Sequence, residues 1–360
     1  AIIRARTEKS VDFITVCLLQ IKKEEKRNKL MNKIREIIGK EYANTLGIIA
    51  YKNGEKVIEE YFEGAHENES VHTFSIVKSI VAVLVGIAID KGYLESVHQK
   101  VLDFFPEYKL KRNQEQVKEV TIENFLTMTV PYKFKSEPWT KVCTSEDWGG
   151  KVLEQVGGKE AIGERFHYST LGIQVLSNVL TKATGMSLKE FARKYLFEPL
   201  GIQEVPDANV YDRASQEAFY KARNNRGWVK DPSGYYTTGW GLSLTTDDFA
   251  KIGVLVLNNG LYNGKRILSE QYIREMLKER EESYGYLWWI YKKNSKIKII
   301  RKEYSTGKYD SYCMNGVGGS LVAIIPEIDT VICMTCSLVY NPKPRMELIN
   351  NYLIPYIEKI

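Results

Sequence analysis

One junction in this 360-residue chain places reactive side chains at the start of a strongly constrained segment. Ser75 and Lys78 stand directly before residues 80–89, which are apolar apart from one glycine. Such a run predicts a buried helix, and residues three apart on a helix lie on one face, so the hydroxyl and the amine can meet. Burial and the positive end of the helix both disfavour the ammonium form of Lys78. An unprotonated amine can accept the proton of a serine that attacks a carbonyl.

The S-x-x-K spacing is by itself weak evidence for a reactive serine, because about two such matches are expected by chance in a chain of this composition. A second match runs from Ser305 to Lys308, in a polar stretch with Gly307 that is typical of a turn. Only the first match is followed by an apolar run. We therefore base the functional interpretation on Ser75 and Lys78.

Composition indicates a globular protein and argues against several classes of partner. Apolar residues make up 44% of the chain and charged residues 27%, with a formal net charge of +6. Acidic and basic residues alternate, as in residues 22–27, which indicates solvated faces rather than a nucleic-acid surface. No apolar stretch reaches the roughly 18–20 residues of a membrane span, so we expect none.

The five cysteines are odd in number and widely spaced, which favours a reducing compartment, and we expect a cytoplasmic protein. Cys333 and Cys336 have C-x-x-C spacing, but they lie in a β-like run where residues three apart face opposite sides. This arrangement argues against a metal site or a redox pair. We expect neither a metal ion nor an organic cofactor.

The order of predicted elements indicates the fold class. The predicted elements are an amphipathic helix over residues 11–41, a hairpin turning at Asn53-Gly54, helices and long loops over residues 95–235, strands over residues 286–291, 296–301, 319–325 and 330–334, and a closing helix over residues 346–357. This order predicts an α/β (α+β) fold, with an antiparallel sheet flanked by helices and an inserted all-α domain.

Domain boundaries follow from the same order. We assign residues 1–78 and 240–360 to the sheet domain, within which residues 1–40 form an N-terminal helical extension. Residues 79–239 form the helical insertion. The functional site is expected at the interface between the two parts.

Further segments carry a family resemblance. Tyr168 follows Phe166-His167 at a loop-to-helix junction. Other matching segments are residues 91–94, 101–107, 125–129, 183–188, 197–202, 241–248, 284–289 and 316–319. Together with the Ser75 helix, these ordered segments resemble the class C β-lactamase-like serine hydrolases, a family of β-lactamases, D-alanyl peptidases, carboxylesterases and nylon-oligomer hydrolases.

The resemblance implies roles for three residues. Ser75 would be the acylated nucleophile and Lys78 its proton acceptor. Tyr168 matches the tyrosine of the family's Y-x-N motif, which shares proton transfer with the lysine and protonates the leaving group. We expect the neighbouring ammonium to lower the pKa of this phenol. The four histidines of the chain, His66, His72, His98 and His167, lack an obvious triad context.

The family's third motif (K-T-G, H-T-G or W-G-G) falls most plausibly at Val317-Gly318-Gly319. The backbone N–H groups of Ser75 and Ser320 would then form the oxyanion hole. Ser305-Thr306-Gly307 looks closer to x-T-G, but polar residues rather than an apolar strand follow it, so we rank it second.

Two departures from the family pattern bear on the substrate. Thr170 stands where the second motif often has Asn, and Val317 stands where β-lactamases and peptidases have Lys or His. These changes predict a serine hydrolase acting on a small-molecule ester, amide or peptide-like substrate, with at most weak β-lactamase activity. The alternative is a catalytically weak, penicillin-binding-like ligand-binding or sensing protein. Five aromatic residues are either pocket walls or core, namely Tyr132, Trp139, Trp148, Tyr236 and Trp240.

Overall fold

The computed structural model describes residue 21, residues 24–299 and residues 302–360. Within it the chain forms two compact units. The larger unit spans Asn44–Pro342, and the smaller unit combines the residues up to Ala43 with Lys343–Ile360.

The larger unit is built on a six-stranded antiparallel sheet. Its strands, in spatial order, are β2 (Glu55–Tyr61), β1 (Thr45–Lys52), β14 (Thr330–Cys336), β13 (Leu321–Ile325), β12 (Ser311–Asn315) and β9 (Trp289–Tyr291). The predicted hairpin is confirmed, because Asn53 and Gly54 both adopt positive φ angles, 51° and 80°, between β1 and β2. Two consecutive left-handed residues give the turn whose twist matches antiparallel strands.

Helix α2 (Ile76–Asp90) is the buried helix that the apolar run predicts. Its residues from Ile76 to Ala88 are all buried, and Ser75 occupies its N-cap position. A helix that is apolar on every side is stable only inside a protein. The first turn of α2 is therefore fixed in space by the core packing of the rest of the helix.

Two helices are close neighbours of this core. On α9 (Thr246–Leu257), a Cβ added at Gly253 would lie 2.7 Å from a methyl group of Val331 on the sheet, so the helix backbone lies directly on the strands. Helix α10 (Glu270–Met276) places Tyr272 against Gly86, and the Tyr272 hydroxyl donates to the Ala82 carbonyl at 2.9 Å. Glycine is needed at both positions because Val331 approaches Gly253 and Tyr272 approaches Gly86 too closely for any side chain.

Between α2 and α9 the chain is mainly helices and loops, as the sequence predicts. The helices are α3 (Ile122–Leu126), α4 (Trp139–Cys143), α5 (Trp148–Leu153), α6 (Val175–Thr184), α7 (Leu188–Ala192) and α8 (Arg213–Lys221). Helix α7 begins with a capping box formed by Ser187 and Glu190. A second, four-stranded sheet has the order β3 (Ser70–His72), β6 (Leu242–Thr245), β5 (Gly227–Val229) and β4 (Asp207–Ala208).

The remaining short strands form two hairpins. They are β7 (Leu261–Tyr262) with β8 (Lys265–Arg266), and β10 (Lys296–Ile299) with β11 (Lys302–Ser305). The strand predicted over residues 296–301 thus begins as expected, and its last two residues lie outside the described residues.

The strand predicted over residues 286–291 is wrong in its first half. Leu287 has a φ of 56°, so the backbone turns before β9 begins. Long-range hydrogen bonds account for this turn: the N–H of Tyr286 donates to the Met276 carbonyl and that of Leu287 to the Leu126 carbonyl, both at 2.9 Å. Tertiary contacts override the strand propensity of this aromatic stretch.

The smaller unit contains helix α1 (residues 24–41), α11 (Arg345–Leu348) and α12 (Ile354–Ile357), with a π-turn joining the last two. The closing helix is confirmed. The first part of the predicted N-terminal helix lies outside the described residues. Within the part of the chain that the structure describes, no helix has both the length and the apolar character needed to cross a membrane.

Candidate active site

Ser75 and Lys78 meet at the first turn of α2. The Lys78 Nζ lies 2.7 Å from the Ser75 Oγ. Phe74, directly before the serine, has a φ of 53°, a left-handed conformation that costs energy for a residue with a bulky side chain. The core packing of α2 overcomes this cost and holds the serine at the point where the backbone turns from strand β3 into the helix.

The Lys78 amine is enclosed by polar atoms yet buried, with only 1% of the residue exposed. Besides Ser75, it contacts the Gly239 carbonyl oxygen at 2.8 Å and the Thr170 Oγ1 at 3.2 Å. Burial lowers the pKa of Lys78 to about 7, against the opposing effect of the negative charge on Glu137. Near neutral pH a large share of this amine is therefore unprotonated and able to accept a proton.

Tyr168 completes the cluster. Its ring centroid lies 5.1 Å from the Lys78 Nζ, and the Ser75 hydroxyl acts to lower the pKa of its phenol. The expected lowering of the phenol pKa is wrong: burial raises the pKa of Tyr168 to about 12. Removal from water disfavours the phenolate more than the Ser75 hydroxyl favours it, and the negative charge on Glu137 disfavours it further. Tyr168 is accordingly a neutral phenol, which can donate a proton.

The turn that carries Tyr168 is held by Glu137, which the sequence analysis missed. The Glu137 Oε1 accepts hydrogen bonds from the Ser169 hydroxyl at 2.6 Å and from the Leu171 N–H at 2.8 Å. These partners lie 32 and 34 residues away along the chain, so no local pattern could have revealed them. On the opposite side of the turn, a Cβ added at Gly239 would lie 2.3 Å from the Thr170 carbonyl oxygen.

The third predicted segment lies between β12 and β13. Val317, Gly318 and Gly319 form a tight turn in which both glycines have positive φ angles, and Val317 is 48% exposed. The closest approach to the serine loop is made by the preceding residue, because a Cβ added at Gly316 would lie 2.0 Å from the Thr73 carbonyl oxygen. The end of β12 therefore edges the site.

Among the described residues, three backbone N–H groups of the predicted oxyanion-binding segments lack an acceptor. They are the N–H groups of Ser75, Val317 and Ser320. The Ser320 hydroxyl is buried and accepts the Cys336 N–H at 3.0 Å, which fixes this end of the turn to strand β14. In the second-ranked alternative, Ser305 is the last residue of β11, and the Thr306 hydroxyl bonds to the loop before β10.

Of the five aromatic residues named from the sequence, three cluster together. Trp240 stacks on Trp148 with ring centroids 6.1 Å apart and meets Trp139 edge-on at 6.5 Å. Phe74 and Tyr220, which the sequence analysis missed, extend this cluster toward Ser75. Phe74, Tyr220 and Trp139 are half-buried, so they form the accessible wall of this cluster, whereas Trp148 and Trp240 are buried.

The other two of these five aromatic residues, Tyr236 and Tyr132, pack elsewhere in the core. Tyr236 donates a hydrogen bond to Asp207 at 2.6 Å and packs on Trp228. Tyr132 stacks on Phe134 with ring centroids 4.8 Å apart. Trp289 packs beside Tyr168, with ring centroids 5.8 Å apart, and is partly exposed.

Among the described residues, no hydrogen bond joins a histidine to Ser75, Lys78 or Tyr168, although His72 packs against Phe74 and Tyr220. His72 is buried, its Nε2 accepts the Gly241 N–H at 2.9 Å, and burial lowers its pKa to about 3. His167 packs edge-on against Tyr132 and Phe134. Within the part of the chain that the structure describes, no group of His, Cys, Asp and Glu could hold a metal ion.

Comparison with known proteins gives one family and a consistent fold. The profile of the Beta-lactamase family matches residues 31–353. The 6-aminohexanoate-dimer hydrolase of Paenarthrobacter ureafaciens is 22% identical over 241 residues, which are 62% of this chain and 55% of that protein. The chain thus spans about half the length of this curated relative.

Two solved structures have a similar fold. A family VIII carboxylesterase superposes with a TM-score of 0.67 at 15% identity, covering 91% of this chain and 97% of that one. The octameric penicillin-binding protein homologue from Pyrococcus abyssi gives 0.59 at 20% identity, covering 91% and 77%. The predicted fold class is confirmed by these similarities.

Proposed function

The chain belongs to the β-lactamase family, and from this premise we propose that it is a serine hydrolase that cleaves esters or uncharged amides through an acyl-enzyme on Ser75. The observation that carries the proposal is the buried Lys78 amine 2.7 Å from the Ser75 hydroxyl. A lysine buried beside a serine hydroxyl, with a pKa near neutrality, has the property that a general base needs.

Acylation begins with proton transfer from Ser75 to Lys78. As the proton leaves, the Ser75 Oγ attacks the carbonyl carbon, a C–O bond forms and the carbonyl oxygen becomes an oxyanion. The N–H groups of Ser75 and Ser320 are the proposed donors to this oxyanion, and the free N–H of Val317 lies in the same turn.

Tyr168 supplies the proton for the leaving group. As the tetrahedral intermediate collapses, the bond to the alcohol or amine breaks and the neutral phenol protonates the departing oxygen or nitrogen. The proton held on Lys78 then restores the phenol. In the second half-reaction a water molecule gives its proton to the same pair, attacks the acyl group and releases Ser75 with its proton.

The surroundings of the cluster favour an uncharged acyl group. The Thr170 hydroxyl contacts the Lys78 amine, and Val317 contributes an apolar side chain, so neither offers a carboxylate a cationic partner. Half-buried Phe74, Tyr220 and Trp139 on one side and Trp289 on the other suit an apolar or aromatic group. A β-lactam or a peptide with a free carboxylate is therefore the poorer proposed substrate.

The test is acylation of the purified protein followed by turnover. Intact mass after exposure to a fluorophosphonate should increase by one adduct on the wild type and remain unchanged on Ser75→Ala. A panel of aryl esters, D-amino-acid amides and nitrocefin then ranks the leaving groups. An adduct of equal yield on Ser75→Ala would overturn the proposal.

The same experiment separates an enzyme from the ligand-binding or sensing alternative. A hydrolase releases many equivalents of product per protein. A sensing protein would give a burst of one equivalent and a stable acyl adduct, because deacylation would be slow.

A further inference from the structure

Glu137 lies just before α4 and binds the turn that carries Tyr168, which comes much later in the chain. A single carboxylate oxygen, Oε1, accepts both the Ser169 hydroxyl at 2.6 Å and the Leu171 N–H at 2.8 Å. Ser169 is fully buried, and its hydroxyl oxygen in turn accepts the Gly172 N–H at 2.8 Å. One side chain therefore holds the whole turn up to the start of the helical segment that leads into α6.

The two groups fixed in this way both face the Lys78 amine. Thr170 lies between the two residues that Glu137 binds, and its hydroxyl is 3.2 Å from the Lys78 Nζ. Tyr168 directly precedes Ser169, and its ring lies 5.1 Å from the same nitrogen. A shift of the turn would move the phenol and the threonine hydroxyl together, away from the lysine and Ser75.

We propose that Glu137 is a positioning residue of the acylation centre, whose carboxylate holds the turn from Tyr168 to Leu171 against the Lys78 amine. This inference rests on the proposed function. Glu137 acts through its neighbours and contacts neither the Ser75 hydroxyl nor the Lys78 amine by any hydrogen bond among the described residues.

The charge of Glu137 has a second consequence, for the pH dependence of acylation. Its negative charge favours the Lys78 ammonium and so opposes the effect of burial. The phenol of Tyr168 faces the amine, and Tyr284 packs edge-on against the Tyr168 ring. Both phenols are neutral near pH 7, because burial raises the pKa of each. Glu137 is thus the ionised group that acts on Lys78.

Two substitutions separate the hydrogen bonds from the charge. Glu137→Gln keeps an oxygen that can accept both hydrogen bonds but removes the charge, whereas Glu137→Ala removes both. The matched control is Glu164→Gln, an exposed glutamate in the segment between α5 and Tyr168, whose carboxylate accepts only the Ala161 N–H among the described residues. Each variant is assayed by the rate of fluorophosphonate acylation against pH, with steady-state hydrolysis of an aryl ester and a thermal melt alongside.

We expect Glu137→Ala to slow acylation about tenfold or more at every pH, through kcat rather than KM. Glu137→Gln should keep most of the acylation rate that is reached at high pH. The acid limb of its pH–rate profile should move to lower pH by up to about one unit, because the Lys78 ammonium loses its stabilising charge. Glu164→Gln should match the wild type in both respects.

Three outcomes would overturn the inference. They are acylation of Glu137→Ala at the wild-type rate, an acid limb of the Glu137→Gln pH profile that does not shift, and slowing of acylation in Glu164→Gln equal to that in Glu137→Ala. Failure of the proposed function is a different result, since the wild type would then form no adduct on Ser75. If Glu137→Ala does not fold, the acid limb of Glu137→Gln still decides the question.

Discussion

At the scale of single residues, Lys78 connects the proposed catalysis with the stability of the fold. Its pKa falls from 10.5 to about 7 in the folded chain because the residue is buried. In the unfolded chain the ordinary value returns, so between about pH 7 and pH 10.5 the unfolded state binds more protons than the folded state. The free energy of unfolding therefore carries a penalty of a few kcal/mol at and below pH 7, which is relieved as the pH rises through that window.

Lys78→Met should accordingly abolish acylation and still leave the fold as stable as before or more so. We expect the acylation rate to fall about 10³-fold or more and the Tm at pH 7 to stay level or rise by a few degrees, since an apolar chain of similar length replaces a group that is costly to bury. Loss of the hydrogen bond to the Gly239 carbonyl limits the gain.

Thermal melts at pH 7 and pH 10 test this expectation, because the gain in Tm should shrink at the higher pH. Ser75→Ala is the matched control, since it removes acylation but retains the buried amine. A large drop in the Tm of Lys78→Met at pH 7 would contradict the argument.

Tyr168→Phe should reveal a dependence on the leaving group. The substitution keeps the ring contacts with Trp289 and Tyr284 but removes the proton donor. We expect kcat to fall about 10²-fold or more for an amide, whose amine must be protonated as it departs, and much less for a p-nitrophenyl ester. Tyr284→Phe, which removes a buried phenol beside the same ring, is the control. Equal losses on the two substrates would exclude Tyr168 as the proton donor.

At the scale of secondary-structure elements, the site depends on the close approach of the end of β12 to the loop before α2. Gly316 permits this approach, since any side chain there would collide with the Thr73 carbonyl oxygen. The Gly316 N–H also donates to the Ser320 carbonyl at 2.8 Å, so the residue continues the pairing of β12 with β13. The strand cannot retreat without disturbing the turn that holds the free N–H groups.

Gly316→Ala should therefore impair both the fold and the chemistry. Overpacking of this kind costs roughly 1–3 kcal/mol of unfolding free energy, and displacement of the turn should slow acylation about tenfold or more. Urea unfolding and the fluorophosphonate rate measure the two effects.

Gly39→Ala is the matched control, because a Cβ at Gly39 on α1 would meet nothing within 4 Å. An alanine there should be neutral or stabilising, since glycine is a poor helix former. If Gly316→Ala behaves in the same way as this control, β12 does not set the position of the site.

At the scale of the whole molecule, local patterns predicted the elements, and long-range contacts decided the details of the site. Helix α2 and the Asn53-Gly54 hairpin could be predicted because their signals lie within about a dozen residues. The turn at Leu287 and the role of Glu137 could not, because each depends on partners many residues away.

The direction of the Tyr168 pKa was wrong for a related reason. Sequence places a phenol near an amine but gives neither the depth of burial nor the charge of that amine. In the folded chain Lys78 is only about half protonated near pH 7, and desolvation of the phenol dominates and raises its pKa.

The charge of the whole chain and the charge of the site make opposite predictions for substrate preference. A net charge of +6 would by itself attract anionic substrates. At the site, however, Lys78 is only about half protonated near pH 7, Glu137 is negative and Val317 offers no cation. Short-range charges in a partly buried site are screened less than the distant surface charges, so we expect the site to prevail.

Two aryl esters that differ only in a carboxylate on the acyl group test this expectation. The neutral ester should have the higher kcat/KM, by about tenfold or more, and added salt should keep or widen the difference, because it screens the attraction by distant surface charges more than the short-range charges of the site. Val317→Lys should narrow the difference by giving the carboxylate a partner, whereas Val317→Met, similar in length but uncharged, should not. If the wild type prefers the anionic ester, the net charge of the molecule governs access and the local argument fails.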